Sequence, residues 1–356
     1  MRVPAMIVGG FHDLQPTFTV DAWRELVTSS DPSVRAEHRL LLGPWIHFAV
    51  GGEVESGAGR VLDDEERTFL DLERRIDRDS LAWFDHHLRG RDNEVGGWAP
   101  VRYHVENDGW HSANDWPPPD ATTRTFYLRD DGALSETAPT AGTQSFDHDP
   151  ADPSPTIGGA TLSPYNCMTS PTPLACVLAA DPATILRHGP RSQAPVTARS
   201  DQRTFLTPPL TEPLPIVGEV RVQVDVATTG DDGDVAVRLV DVDDAGDPLL
   251  VAEGIARLRA RDATNRWSAV TPGTRYSLAI TMLSDVSRTI QPGHRLGIIV
   301  SATHWPLFGR NPNDGAVFYA GDTASGTPAS LIGAGRPATH TLHLDGATRI
   351  ELQSRP

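Results

Sequence analysis

The chain has 356 residues, a hydrophobic fraction of 38% and a formal net charge of -16 at pH 7, enough length and apolar content for two domains with cores of their own. Phosphate backbones and anionic lipid are bound through clustered Lys and Arg; this chain is strongly acidic and contains no lysine, so neither nucleic acid nor a membrane surface is an expected partner. No run of 18 apolar residues occurs, so no spanning helix is expected. The opening "MRVPAMIVGGFHD" lacks the pattern of a signal peptide, which makes a cytoplasmic location the expectation.

Taken in chain order, the first hundred residues alternate strand and helix signals. "AMIVGG" (5–10) is a short apolar run closed by glycines, the pattern of a parallel strand buried on both faces. "TVDAWRELVTSS" follows with Trp23, Leu26 and Val27 at helical spacing, and "HRLLLG" reads as a second buried strand. From Glu65 to Leu88 a long amphipathic stretch sets Phe69, Leu72, Ile76, Trp83, Phe84 and Leu88 on one side and stops at Gly90. That rhythm predicts part of a doubly wound sheet, with only two parallel strands in it.

After Arg91 the rhythm changes. "WPPPD" (116–120) is a stiff connector. "RTFYLRDDGAL", "VGEVRVQVDVAT", "GDVAVRLVDVDDAGDPLLVAEGIARLRA", "TRYSLAITML", "HRLGIIVSATHWPLF" and "THTLHLDGATRIELQ" then show period-two alternation broken by Gly, Asp and Pro, which predicts an antiparallel β-sandwich. The domain boundary is expected near residue 100, giving domains over 1–100 and 101–356. Pro139 to Pro155 reads as a mobile loop. The acidic "TTGDDGDV" (228–235) lacks the twelve-residue frame of a calcium loop and reads as a solvated turn. Cys167 and Cys176 have neither CxxC nor Cys/His metal spacing, so neither a disulfide scaffold nor a metal site is expected.

Two residues stand where chemistry is expected. In an open parallel sheet, ligands bind at the carboxyl ends of the strands. Asp13 follows the first strand and His47, in "GPWIH", follows the second. Neighbouring strands lie about 4.8 Å apart, so side chains on the loops after them can meet. A carboxylate fixes the tautomer of an imidazole, which takes a proton from a nucleophile and returns it to the leaving group. Other readings of the same residues stay open: Asp13 as the cap of the following helix, His47 as a packed, hydrogen-bonded side chain. His12, His86 and His87 are weaker candidates, the last two placed on the polar face of the long helix.

The stretches "GGFHD", "GPWIH", "LAWFDHHLRG", "WPPPDATTRTFYL", "DQRTFLTPPLTEPLPIVGEVRVQVDV", "DVAVRLVDV" and "GHRLGIIVSATHWPLFGRNPN" resemble the carboxyl-terminal part of the cocaine esterase and X-Pro dipeptidyl-peptidase (CocE/NonD) family of serine hydrolases, in the same order and over nearly the whole chain. The resemblance implies that Asp13 and His47 are the triad partners of a serine. It implies that the first region is the end of an α/β-hydrolase sheet, that residues from 101 onward form a jelly-roll β-sandwich, and that the substrate is a small acyl ester or an X-Pro peptide. A triad mechanism needs no metal or organic cofactor. Leu14, Gln15 and Trp45 are the local candidates for lining the pocket.

The departure from the family pattern is the nucleophile. No GxSxG or GxSxxG occurs in the chain, and Ser29, Ser30 and Ser301 lie outside any strand-to-helix elbow of the kind that exposes a catalytic serine. The expectation is therefore a carboxyl-terminal segment of a longer enzyme, or a chain that pairs with a separately encoded amino-terminal hydrolase segment. The alternative is a noncatalytic β-sandwich module for binding or assembly that keeps a relic Asp/His pair.

Overall fold

The computed structural model describes residues 1–13, 16–46, 64–160, 189–262, 267–305, 307–315 and 335–356, with the backbone alone for residues 16, 46 and 64–75. Its first sheet contains β1 (Met6–His12), β2 (Arg39–Ile46), β3 (Val101–Val105) and β4 (Gly109–Ala113), in that spatial order. β1, β2 and β3 run parallel and β4 returns antiparallel. Helix α1 (Pro16–Ser29) links β1 to β2 and packs on β1, while α2 (Asp64–Arg89) packs on β2. Apolar strands need cover on both faces, and they have it. One face buries Phe11, Val20, Trp23, Leu40, Leu42, Val101 and Tyr103; the other buries Leu41, Trp45 and Ile76. Full burial of one such side chain, Phe11 for example, is worth roughly 1.5–3 kcal/mol.

This sheet corrects the expectation of two parallel strands. "VRYHV" supplies a third, with Val101, Tyr103 and Val105 buried and Arg102 and His104 half-buried, a strand alternation read from a stretch too short to stand out. A boundary at residue 100 falls between hydrogen-bonded neighbours, because Leu40, Leu41 and Leu42 pair with Val101, Arg102 and Tyr103.

The second half is a sandwich of two sheets. A four-stranded sheet has β8 (Gln202–Leu206), β10 (Asp234–Val242), β11 (Pro248–Arg257) and β14 (Arg295–Ser301) in the order β11-β10-β14-β8. An eight-stranded sheet is built around β9 (Leu214–Thr228) and runs β6-β5-β16-β9-β15-β7. Its other members are β5 (Thr122–Leu128), β6 (Leu134–Ser135), β7 (Thr143–His148), β15 (Ala338–His343) and β16 (Arg349–Ser354), with β12 (Tyr276–Thr281) and β13 (Val286–Ile290) also paired to β9. The alternation read from the sequence becomes a two-sided strand: Val235, Val237 and Leu239 of β10 join the core between the sheets, while Val240 and Val242 join a smaller cluster with Val196 and Ile299.

The two halves are tied together. Trp116 donates its indole N–H to Asp285 at 2.6 Å and Thr17 donates its hydroxyl hydrogen to the Leu283 carbonyl at 2.7 Å, while Val217 of β9 joins the core of the first sheet. None of the described helices is long and apolar enough to cross a membrane.

Four further expectations are corrected. The segment taken as a mobile loop contains β7, an edge strand paired with β15 from His148↔Ala338 to Thr143↔His343. The acidic stretch is no solvated turn: Asp232 and Asp234 are buried, Asn311 donates to both at 3.1 and 2.8 Å, and Arg257 grips Asp234 with two bonds. On α2, Ile76 and Trp83 face inward, but Leu81, Phe84 and Leu88 are 64%, 55% and 77% exposed; spaced three and four apart, they share the outer face. His87 is not on the polar face either, since its ring packs against Trp83, tilted by 56° with centroids 4.1 Å apart. Cys167 and Cys176 lie outside the described residues.

Candidate active site

The carboxyl ends of β1 and β2 define the candidate site. Their parallel register runs Met6↔Arg39 through Gly10↔Gly43 and then jumps to His12↔Ile46, so β2 carries one extra residue near Pro44 and Trp45. A bulge of this kind redirects the end of a strand. It also explains Gly10, because a Cβ there would lie 2.2 Å from the Trp45 carbonyl oxygen. With His12 opposite Ile46, the next residues in sequence are Asp13 and His47. Asp13 is half-buried and its backbone N–H donates to the Gly10 carbonyl at 3.2 Å, closing a tight turn. α1 starts at Pro16, three residues later, a start that proline favours; Asp13 therefore stands short of the capping position beside it.

His47, Leu14 and Gln15 lie outside the described residues. Trp45 is 1% exposed and packs with Leu41 and Ile76, its ring 6.0 Å from that of Trp110. It is a core residue in this structure, not a wall open to substrate. Ser30 and Ser301 are buried; Ser301 belongs to β14 and donates to the Thr303 carbonyl at 3.3 Å. Ser29 ends α1. None of these serines occupies a strand-to-helix elbow.

The sequence offers His12 only as a weaker candidate and does not offer its partners. His12 Nε2 donates to Glu106 Oε1 at 3.1 Å, and Arg288 Nη1 donates to Glu106 Oε2 at 3.3 Å. Burial would raise the pKa of Glu106, but the charges and hydrogen bonds of His12 and Arg288 outweigh it and hold the carboxyl at about 2. From the sequence, Glu106 is a charge between a short strand and an Asn-Asp-Gly turn, which reads as solvated; its partners are 94 and 182 residues away. No local signal announces them.

A second buried cluster lies in the sandwich. His304 Nδ1 and Glu253 Oε2 are 2.8 Å apart, and Arg238 donates to the Pro155 carbonyl at 2.6 Å. Burial pushes Glu253 up to about 7 against the opposing charge of Arg238, and burial together with Arg238 pulls His304 well down. Among the described residues, no group of three or more His, Cys, Asp or Glu is placed to hold a metal ion.

Residues 93–353 match the family described as X-Pro dipeptidyl-peptidase C-terminal non-catalytic domain. The cocaine esterase of Rhodococcus sp. (strain MB1 Bresler) is 30% identical over 335 residues, covering 89% of this chain and 51% of the esterase. A putative serine esterase of Mycobacterium bovis is 28% identical over 313 residues, covering 80% of this chain and 44% of the esterase. The chain thus spans about half the length of the curated relatives it matches. Among solved structures, an aminopeptidase from a marine sediment Thaumarchaeota archaeon superposes with a TM-score of 0.78 at 24% identity, over 99% of this chain and 55% of that one. An alpha-amino acid ester hydrolase gives 0.73 at 23%, over 98% and 55%; at these identities the likeness shows the fold.

The fold and these matches define the class, that of ester and peptide hydrolases whose carboxyl-terminal part is a β-sandwich. Within it, the chain belongs to the cocaine esterase and X-Pro dipeptidyl-peptidase (CocE/NonD) family of serine hydrolases and corresponds to its carboxyl-terminal portion.

Proposed function

We propose that this chain supplies the acid and the base of a Ser-His-Asp hydrolase, with the nucleophile and the oxyanion hole contributed by an amino-terminal hydrolase segment. The observation that carries the reading is the parallel pairing of β1 with β2 as far as His12↔Ile46, since it brings the ends of the Asp13 and His47 strands side by side. The first sheet is read as the end of an α/β-hydrolase sheet and the sandwich as the jelly-roll wall of the pocket.

In this mechanism Asp13 accepts the N–H of one ring nitrogen of His47 and fixes its tautomer. The other nitrogen takes the serine proton as the serine oxygen bonds to the substrate carbonyl carbon. His47 then returns that proton to the departing alcohol or amine, and water repeats the cycle to release the acid. The substrate is a small acyl ester or an X-Pro peptide, and no metal or organic cofactor takes part.

The test is co-expression with an amino-terminal segment carrying a GxSxxG elbow. Hydrolysis of a chromogenic acyl ester is expected only in the pair. Asp13→Asn is expected to lower kcat by about 10⁴, and His47→Ala to abolish turnover. Full activity in His47→Ala refutes the assignment. A second reading, a noncatalytic binding or assembly module with a relic Asp/His pair, draws support from the family description that covers 93–353. It predicts that no complementing segment restores turnover.

A further inference from the structure

A continuous run of charged side chains crosses all three sheets and stops one residue short of Asp13. His12, at the end of β1, bonds Glu106 at 3.1 Å; Glu106 bonds Arg288 of β13 at 3.3 Å; Arg288 Nε donates to Asp241 of β10 at 2.9 Å; and His294 Nδ1 donates to the other Asp241 oxygen at 2.7 Å. His12, Arg288 and Asp241 are buried and Glu106 nearly so, its side chain 13% exposed.

The backbone fixes Glu106 as firmly as the ions do. Its N–H donates to the Ser287 carbonyl and its own carbonyl accepts from the Thr289 N–H, both at 2.9 Å. Asn107, in the left-handed region at φ 66, donates from Nδ2 to the Thr289 carbonyl at 3.0 Å. Although the chain attaches Glu106 to β3, its place is set by β13 of the sandwich.

Burying such a chain of charges carries a desolvation cost that makes it weak ground for stability alone. Its effect on geometry is direct. The regular register of β1 ends at Gly10↔Gly43, and the His12 ring is the side chain held immediately before the Asp13 turn. A ring clamped by a carboxylate whose two oxygens are both engaged anchors the His12 Cα inside the turn that the Asp13 N–H closes on the Gly10 carbonyl at 3.2 Å.

The geometry points to Glu106 as a positioning residue: locked to Arg288 of the sandwich, it grips His12 and thereby sets the turn that presents Asp13. The inference rests on the reading of Asp13 as the triad acid, and it gives the non-catalytic domain a share in the catalytic geometry.

The test uses the intact 356-residue chain, with amide hydrogen exchange read at Asp13 and, as an internal reference, in β9. Two variants are compared with the parent: Glu106→Gln, and the double variant His12→Phe/Glu106→Met, which replaces the grip by apolar groups of similar volume and so keeps the core filled. In both, the ratio of protection at Asp13 to that in β9 is expected to fall at least tenfold, and the Asp13 carboxyl ¹³C resonance to move. An unchanged ratio in both variants overturns the proposal, because a merely structural pair lowers protection at both places together. Retained activity in Asp13→Asn would instead remove the reading under Proposed function while leaving the measured grip in place.

Discussion

Glu106 and Glu253 are both buried carboxyls, and their surroundings push them in opposite directions. Glu106 is held at about 2 against an ordinary 4.5, its burial outweighed by His12 and Arg288. A depressed acid contributes stability that is fully present above 4.5 and is lost as pH falls toward 2. At 1.36 kcal/mol per unit, that contribution is on the order of 3 kcal/mol. Urea melts of Glu106→Gln are expected to show that deficit at pH 7 and little of it near pH 2. Glu253, pushed up to about 7 by burial, has the opposite sign: its contribution is present below 4.5 and declines as pH rises to 7, again by about 3 kcal/mol. Glu253→Gln is expected to flatten stability between pH 4.5 and 7, and an unchanged slope there would show that the carboxyl binds its proton equally well folded and unfolded. Neither role was legible in the sequence. Asp13 and His47 stand out because each comes one residue after the end of its strand, whereas Glu106 and Glu253 take their chemistry from partners far along the chain.

Among the elements, those with strong periodicity were legible and those set by neighbours were not. β9 alternates Val with polar residues and β10 is rich in Val along its length, and both are unmistakable as strands. β7, "TQSFDH", has Phe146 as its one large apolar side chain; as the edge of its sheet it needs no more, so it reads as loop. The bulge at the end of β2 is equally hidden, because Pro44 and Trp45 signal a stop and not an extra residue within a pair. Gly10 records it. A Cβ there meets the Trp45 backbone oxygen at 2.2 Å, and backbone has no rotamer to give way. Gly10→Ala is expected to destabilise the chain by about 1–3 kcal/mol through overpacking, read from the urea midpoint, and to lower turnover of the complemented enzyme. Gly246 offers a contrast. A Cβ added there meets nothing within 4 Å among the described residues, so Gly246→Ala is expected to incur the strain of its φ of 89 and to leave turnover alone.

Over the whole molecule, the first sheet sets one of its longer strands at an edge. Among the described residues, β1 stands at one end of its sheet, hydrogen-bonded to β2 alone, and an edge of this length in a parallel sheet is an invitation to another strand. Phe18 of α1, which packs on β1, is 66% exposed, and Leu81, Phe84 and Leu88 form an outward apolar row on α2, which packs on β2. Scattered apolar side chains are ordinary on a surface, but a contiguous row of them marks an interaction face. The proposed amino-terminal segment fits that face by chemistry, since a parallel strand would satisfy the edge and its helices would cover the row. Hydrogen exchange distinguishes this from an unrelated surface. In the chain alone, the β1 amides not bonded to β2 are expected to exchange at least 100-fold faster than those of β9. In the co-expressed pair they are expected to approach the β9 rates, while sandwich amides stay as they were. If turnover appears but those β1 amides remain fast, the nucleophile reaches Asp13 and His47 by some other arrangement than a shared sheet, and the edge of β1 has a different occupant.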